Sequence, residues 1–514
     1  METALTTIRP ELLTLAPAQL AALGPWIWGL CGALVMMLAA VMFKSSTRLV
    51  PLLMVVASAG IAWSAAMLMD SGEQQLFNRM MAVDRFTLAF TALFAAAGLV
   101  SALASIPYLD RERLQHPEYY ILMLFSVLGM MTMVSALDLV VIFVALELMS
   151  ISVYVLVGFR RADRRSNEAA VKYFVLGGAA SAVFLYGSAL LYGATGSINI
   201  QDILAVVKAG QAGGSALFVL GSALVIFGFL FKVASVPFHM WMPDVYEGAP
   251  APITGFMTTG IKAASFATFI RVMSGMGYGA GLAEVVQKHL HDILWVSAAL
   301  TMLIGNVIAL TQVNLKRMLA YSSIAHTGYL LVGMLAAPVA ESGYGPMYLY
   351  LLSYTVMNLG AFAILSILAR RGDSGINLHD LAGLSRRHPA LAFGMTVFLF
   401  SMAGIPPTAG FAAKYLLFSA AVQAVEIWIT VIAVLCSAIS VYYYLRVLVY
   451  MYMREPAGSV VPAGRSWMTS AAVLAMILLT LQIGLAPSRV IETARSISRV
   501  TFAQGATAGT SAAR

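Results

Sequence analysis

Residues 216–248 read ALFVLGSALVIFGFLFKVASVPFHMWMPDVYEG, a long apolar run that is interrupted near its end. An α-helix needs about 20 apolar residues to cross roughly 30 Å of hydrocarbon, and the first part of this run has that length. Pro237 and Pro243 interrupt it, because proline lacks a backbone donor and clashes with the preceding helical turn. Lys232 lies just before the interruption, at a depth where a charge costs at least about 2.5 kcal/mol. The run therefore predicts a membrane-spanning helix that is broken beside a buried lysine.

Similar apolar runs recur along the whole chain. The 514 residues are 60% hydrophobic and only 11% charged, a composition that excludes a water-soluble globular protein. Runs of about 20 residues indicate helices rather than the roughly ten-residue strands of a membrane barrel. We therefore predict an all-α polytopic membrane protein with about 14 transmembrane helices. The predicted spans, numbered in chain order, are approximately 24–43, 50–69, 86–107, 119–136, 139–158, 169–193, 216–246, 252–273, 292–312, 317–337, 345–369, 390–420, 427–452 and 467–486.

A second interruption lies in the twelfth predicted span, at Gly404, Pro406, Pro407 and Gly410. Interrupted segments at corresponding positions of two halves indicate an ion pathway in transporters built from repeats. The seventh and twelfth spans are five apart, so we predict two five-helix repeats, spans 4–8 and spans 9–13. An odd number of crossings turns the second copy upside down, which makes this an inverted repeat.

The predicted organisation has four parts. A three-helix N-terminal extension occupies residues 1–110, and the first repeat occupies residues 111–275. The second, inverted repeat occupies residues 276–455, and helix 14 with the C-terminal tail occupies residues 456–514.

Basic residues in the loops predict the orientation in the membrane. Lys and Arg are enriched in cytoplasmic loops. If the N-terminus is outside, the outer loops carry only Arg79, Arg85, Lys208 and Lys288, so we predict that both termini lie outside. The first apolar run lacks the features of a cleaved signal peptide and is expected to stay as a span. The basic residues of the inner loops are then Lys44, Arg48, Arg111, Arg113, Arg160, Arg161, Arg164, Arg165, Lys316, Arg317, Arg370, Arg371, Arg386, Arg387, Arg454 and Arg465.

Ionisable residues inside the predicted spans are the candidate functional residues, because charges at bilayer depth are costly and mark ion pathways by default. Burial weakens the binding of a proton by lysine, and a nearby carboxylate strengthens it. Moving a glutamate and a lysine together or apart can therefore load or release a proton. A static buried ion pair that only aligns the helices is the alternative, although one glutamate cannot balance four lysines. The residues are Glu147, Lys172, Lys232, Lys262 and Lys414.

His326, in YSSIAHTGYLL of the tenth predicted span, is a further candidate. Its unperturbed pKa near neutrality suits a group that carries a proton between lysines. A core histidine with satisfied hydrogen bonds is the alternative interpretation.

No cofactor pattern is present in the sequence. Cys31 and Cys436 lie in separate apolar runs, and His289 and His291 have no third ligand near them. The stretch GMGYGAG at 275–281 does not match GxGxxG. We therefore expect no metal or redox cofactor in this chain, and we attribute the net charge of +8 to membrane topology rather than to nucleic-acid binding.

The segment FKVASVPFHMWMPDVYEGAPAPITGFMTTGIKAASF, residues 231–266, resembles the helix 7 to helix 8 region of the antiporter-like subunits of respiratory complex I. NLKRMLAYSSIAHTGYLLVG at 314–333, NLHDLAGLSRRHP at 377–389 and SMAGIPPTAGFAAKYLLF at 401–418 resemble the N subunit branch of that family. The resemblance extends over predicted helices 4 to 13.

This resemblance implies a proton-translocating membrane-arm subunit of NADH:quinone oxidoreductase in the inner membrane of a bacterium. Glu147 and Lys232 match the family's ion pair between helices 5 and 7, and Lys262 matches the relay on helix 8. Lys414 matches the exit site on helix 12, and Lys172 matches a lysine of this branch on helix 6. The chain would be an enzyme component only within the complex, with FMN, iron–sulfur clusters and quinone in partner subunits and the M, K and J subunits as neighbours.

Two other functions stay open at this point. A subunit of a multisubunit sodium/proton antiporter would have similar lysines on helices 7 and 12, and sodium-dependent flux without quinone substrates would favour it. A purely structural subunit would bury the same charges as static pairs.

Overall fold

The computed structural model describes residues 16–43, 46–212, 214–279, 281–455 and 467–500. Lys44 and Arg465, which contribute to the predicted orientation, and both chain ends lie outside these ranges. The described residues are almost entirely helical, with one short antiparallel hairpin in which β1 (Gln74–Leu76) pairs with β2 (Met81–Val83). The predicted all-α class is confirmed.

The helices follow one another through short connections. They are α1 (Pro17–Ala22), α2 (Gly24–Met42), α3 (Ser46–Met67), α4 (Arg85–Glu112), α5 (Pro117–Ser135), α6 (Leu139–Val157), α7 (Arg164–Thr195), α8 (Ile200–Lys208), α9 (Ala216–Lys232), α10 (Trp241–Gly248), α11 (Ala251–Phe256), α12 (Lys262–Gly275), α13 (Glu284–Thr311), α14 (Leu315–Ala336), α15 (Gly345–Leu368), α16 (Leu384–Arg387), α17 (Pro389–Ala403), α18 (Ala409–Gln423), α19 (Ile427–Met453), α20 (Trp467–Leu485) and α21 (Ser488–Val500).

Eleven helices of the described residues are long and apolar enough to cross a membrane: α2 to α7, α13 to α15, α19 and α20. The other predicted spans coincide with segmented helices, namely α9 with α10, α11 with α12, and α17 with α18. The chain is therefore a multi-pass membrane protein. The total of about 14 crossings and the inverted repeat stay predictions, as do the four predicted domain boundaries.

Both helix breaks lie where the prolines predict them. Helix α9 ends at Lys232 and α10 begins at Trp241, so Pro237 lies in the break. Pro243, which was expected to interrupt the helix as well, lies in the first turn of α10, where its missing N–H removes no helical hydrogen bond. Pro406 and Pro407 separate α17 from α18.

Neighbouring hydroxyl groups satisfy the backbone that the first break frees. Thr301 of α13 accepts from the Val236 N–H at 2.9 Å, and Ser297 donates to the Val236 carbonyl at 3.2 Å. Thr327 of α14 donates to the carbonyl of Val233 at 2.8 Å. Irregular backbone is tolerated at membrane depth when protein groups pair it in this way.

A π-helical turn, Met257–Ile261, joins α11 to α12. Such turns within α-helices are frequent at functional sites. Lys262 is the first residue after this turn. The turn thus sets the position of one of the predicted lysines.

Candidate functional site

Lys232 is the last residue of α9 and is only 4% exposed. Its Nζ donates to the Oγ of Ser150 on α6 at 2.9 Å. The ammonium also lies 5.9 Å from the ring centroid of Tyr154, one turn further along α6. The Lys232 ammonium thus lies next to a hydroxyl group and an aromatic ring, whereas the sequence predicts a carboxylate as its partner.

Glu147 lies on α6 one turn before Ser150, so both side chains point to the same side of the helix. Its Oε1 is buried and has no hydrogen-bonding partner among the described residues, and it forms no direct ion pair there with Lys232. The two charges are still close enough to interact electrostatically. The predicted pair of Glu147 and Lys232 is thus present as neighbours that are not in contact.

Lys262 on α12 is 2% exposed and binds α14 through three hydrogen bonds. Its Nζ donates to the Ser323 carbonyl at 2.6 Å, to Ser323 Oγ at 2.5 Å and to Thr327 Oγ1 at 2.9 Å. Thr327 is the residue whose hydroxyl also bonds the Val233 carbonyl, next to Lys232. Thr327 therefore connects the first helix break with Lys262.

His326 is buried on α14 between two tyrosines. Its Nδ1 lies 2.6 Å from the Tyr350 hydroxyl and its Nε2 lies 3.2 Å from the Tyr444 hydroxyl. The imidazole ring also lies 5.1 Å from the ring of Tyr354, whose hydroxyl donates to Ser323 at 2.8 Å. Both ring nitrogens therefore have hydroxyl partners, which can donate or accept a proton.

Lys414 on α18 is 5% exposed and lies at the second break. Its Nζ donates to the carbonyls of Met402 and Ala403, at 2.9 and 3.1 Å, at the end of α17. A third bond of 2.9 Å goes to Ser437 on α19. The ammonium lies 5.3 Å from the ring centroid of Tyr329 on α14. Each of the two breaks is thus occupied by a lysine.

Helix α14 carries His326, contacts Lys262 and Lys414, and reaches the first break at the Val233 carbonyl, next to Lys232. Ser323 and Thr327 bind Lys262, His326 lies between the two tyrosines, and Tyr329 lies under Lys414. His326 interacts electrostatically with both Lys262 and Lys414. The arrangement forms a row of exchangeable polar groups, the polar row, which consists of Lys232, Thr327, Lys262, Ser323, Tyr354, His326, Tyr444, Tyr329 and Lys414.

Lys172 is not part of the polar row. Its side chain is 41% exposed, and Nζ pairs with Glu168 at 2.7 Å and with Asp244 at 2.9 Å. Asp244 lies on α10 and also pairs with Arg317 at 2.8 Å, at the start of α14. The structure thus places Lys172 in a partly exposed cluster of charges beside the broken helix.

A second cluster of charged residues is buried, and the sequence does not predict it. Lys316 has no exposed side-chain surface, and its Nζ lies 3.0 Å from Asp373, which also lies 3.4 Å from Arg160. Burial lowers the pKa of Arg160, but the neighbouring Tyr108, Asp373 and Asp163 outweigh burial and raise it. The residues lie at helix ends or in loops, and a sequence pattern does not reveal that such residues meet.

Comparisons with known proteins show which family and which structures this chain resembles. Residues 136–440 match the family described as NADH:quinone oxidoreductase/Mrp antiporter, TM. Over 380 residues the chain is 49% identical to NADH-quinone oxidoreductase subunit N of Trichlorobacter lovleyi, which covers 74% of this chain and 76% of that relative.

Two solved structures share the fold. A chain of respiratory complex I from Thermus thermophilus with bound aureothin is 34% identical, with a TM-score of 0.78 over 91% of this chain and 98% of that one. A chain of the Mrp complex from a Dietzia species has a TM-score of 0.81 over 96% of this chain and 99% of that one. It is 21% identical, so this second likeness is one of fold alone.

Proposed function

The chain belongs to the NADH:quinone oxidoreductase/Mrp antiporter family and to its subunit N relatives, and on that premise we propose that it is a proton-translocating subunit in the membrane arm of NADH:quinone oxidoreductase. The observation that carries this proposal is the polar row, in which α14 reaches both helix breaks and the buried lysines lie at or beside its contacts there. A buried charge paired only with neutral groups is costly in a static structure, whereas proton transfer requires charges that can be gained and lost.

Proton uptake begins on the cytoplasmic side, near the broken helix α9–α10. Lys172 and Asp244 are partly exposed there and can exchange protons with water. Beyond them, Lys232 alternates between Ser150 and Glu147. Contact with the carboxylate tightens proton binding by Lys232, and return to the hydroxyl loosens it. The electron-transfer reaction elsewhere in the complex drives this alternation.

The proton then moves along α14 towards the second break. Hydroxyl groups donate and accept, so Thr327, Ser323 and Tyr354 can pass a proton on from Lys262. His326 receives it between its two tyrosines, and Lys414 delivers it towards the periplasm. In this scheme all six candidate residues, including Glu147 and Lys172, take part in proton transfer.

The rest of the reaction belongs to partner subunits. We propose that this chain binds no redox cofactor and that NADH, FMN, the iron–sulfur clusters and quinone are held elsewhere in the complex. Its membrane neighbours are the M, K and J subunits. The location is the bacterial inner membrane, with both termini on the periplasmic side, as the basic loops predict.

The sodium/proton antiporter alternative has less support. The identity to the Mrp chain is 21%, against 49% to the subunit N relative. A role in scaffolding alone would leave the buried lysines without a reason to lie at both breaks.

Lys232→Ala tests the proposal. Proton pumping and quinone reduction are measured together in membrane vesicles, with assembly checked on native gels, and Lys208→Ala at an exposed position serves as the control. We expect the Lys232 variant to assemble and to lose both activities while the control keeps them. Retention of both activities in the Lys232 variant would reduce this lysine to a structural charge.

A further inference from the structure

A groove of about 1140 Å³ lies between α3, α4 and α20, and no residue of the polar row is among the residues that line it. Helices α3 and α20 both pack against α4, and Thr469 of α20 donates to the Leu103 carbonyl of α4 at 3.0 Å. The walls of the groove are formed by small and aliphatic side chains, among them Val55, Ala62, Ala95, Leu99, Ala475 and Met476. Alanines at these positions leave space that larger residues would fill.

The mouth of the groove is polar and lies at helix ends. Arg48 is near the start of α3, Asp110 is near the end of α4, and Trp467 is the first residue of α20. Tryptophan and arginine are typical of the boundary between hydrocarbon and headgroups. The predicted orientation puts these ends on the cytoplasmic side, so the groove opens at the headgroups of the inner leaflet.

The length of the groove fits one lipid molecule. From Arg48 to Ala62 along α3, at about 1.5 Å per residue, the wall is about 21 Å long. A bilayer of about 40–45 Å including headgroups gives about 20–22 Å for each leaflet. An acyl chain that enters at the mouth therefore ends where the groove ends.

The charges at the mouth identify the headgroup. Neither Arg48 nor Asp110 has an ion-pair partner among the described residues, although both line the same groove. A guanidinium binds a phosphate, and a carboxylate binds an ammonium. We propose that the groove holds a phospholipid with a zwitterionic aminoethyl headgroup, its phosphate at Arg48, its ammonium at Asp110 and an acyl chain along the alanine-lined wall. This site is independent of proton transfer through the polar row.

Lipid retention by the whole purified complex tests the proposal. The complex is washed extensively with detergent, and the bound phosphatidylethanolamine and phosphatidylglycerol are then counted by mass spectrometry. Ala475→Phe blocks the groove, and Leu474→Phe on the exposed side of the same helix is its control. Arg48→Gln removes the phosphate partner, and Arg161→Gln, at an exposed position outside the groove, is its control.

We expect Ala475→Phe and Arg48→Gln to retain one phosphatidylethanolamine fewer per complex than the wild type and both controls. Asp110→Asn should lower the preference for phosphatidylethanolamine over phosphatidylglycerol. Equal retention in wild type and Ala475→Phe would overturn the proposal. So would a photo-reactive residue at position 468 that crosslinks to another protein subunit and not to lipid, since the groove would then be a subunit interface.

Discussion

Lys232 donates to Ser150 at 2.9 Å, while Oε1 of Glu147, one turn away on the same face of α6, has no hydrogen-bonding partner among the described residues. The lysine therefore has a neutral and a charged acceptor on one helix. An unpaired buried carboxylate oxygen is costly, and contact with the ammonium would relieve that cost. The contact with Ser150 is thus one of two positions of the Lys232 ammonium. A small movement of the side chain would take it to the other position, at Glu147.

Removing the Ser150 hydroxyl, the neutral acceptor, should keep the Lys232 ammonium at Glu147. In Ser150→Ala the hydroxyl is lost and the charged acceptor Glu147 remains, and we expect proton pumping coupled to quinone reduction to fall by about tenfold. A hydrogen bond to a charged group is worth about 1.5–3 kcal/mol, and about 1.4 kcal/mol corresponds to a factor of ten. Ser152→Ala, whose hydroxyl donates to the Leu148 carbonyl of its own helix at 2.9 Å, is the matched control. Equal activities of the two variants would exclude a role for the Ser150 contact.

Thr327 should be essential through its hydroxyl group, because that group joins Lys262 to the Val233 carbonyl. Thr327→Val keeps the shape and loses the hydroxyl, whereas Thr327→Ser keeps the hydroxyl and loses a methyl group. We expect the valine variant to assemble with proton pumping reduced by at least about tenfold, since two hydrogen bonds of roughly 1 kcal/mol or more are lost. The serine variant should stay within about threefold of the wild type. Equal proton pumping by the valine and serine variants would argue against proton transfer through the Thr327 hydroxyl.

His326 distinguishes a proton carrier from a core residue. Its two ring nitrogens lie against Tyr350 and Tyr444, and Gln at this position can keep hydrogen bonds to them but cannot exchange a proton near neutral pH. If His326 carries a proton, we expect the His326→Gln variant to assemble normally and to lose proton pumping and quinone reduction together. Normal activity in His326→Gln, with poor assembly in His326→Phe, would assign the histidine to the core instead.

The sequence predicts these groups unevenly, for physical reasons. Lys232 and Lys414 can be recognised as candidates from the sequence, because a charge near a proline in an apolar run has few structural explanations. The π turn at Met257–Ile261 cannot be predicted from the sequence, because MTTGI has the composition of an ordinary helix with small residues. The partners of Lys262 depend on how α12 packs against α14, which is a tertiary contact.

Charged residues at helix ends are the most difficult case. Lys316 and Asp373 are far apart in the chain and individually typical of membrane boundaries, yet they meet in a fully buried pair. Lys172 looked like a membrane-depth lysine because the residues around it are small or apolar. One of its carboxylate partners, Glu168, lies four residues earlier on the same helix. The other, Asp244, belongs to α10, and the break in the seventh predicted span brings that helix beside Lys172.

A buried ion pair between α12 and the start of α4 should govern stability without affecting proton transfer directly. Arg271 on α12 contacts both carboxylate oxygens of Asp84 at 3.0 Å, and Asp84 also caps α4 by accepting from the Thr87 N–H at 2.7 Å. Asp84→Asn keeps a residue type that caps helices but leaves the guanidinium buried without its counter-charge. Breaking such a pair costs about 3–5 kcal/mol.

We expect Asp84→Asn to lower the temperature at which the assembled complex dissociates on native gels, with normal proton pumping per assembled complex. Asp84→Asn combined with Arg271→Met should recover part of the loss, since no unpaired charge is then buried. Asp70→Asn is the matched control, because its ion pair with Arg85 is exposed and worth at most about 1 kcal/mol. If Asp84→Asn and Asp70→Asn dissociate at the same temperature, the pair of Asp84 and Arg271 does not hold the N-terminal helices to the rest of the bundle.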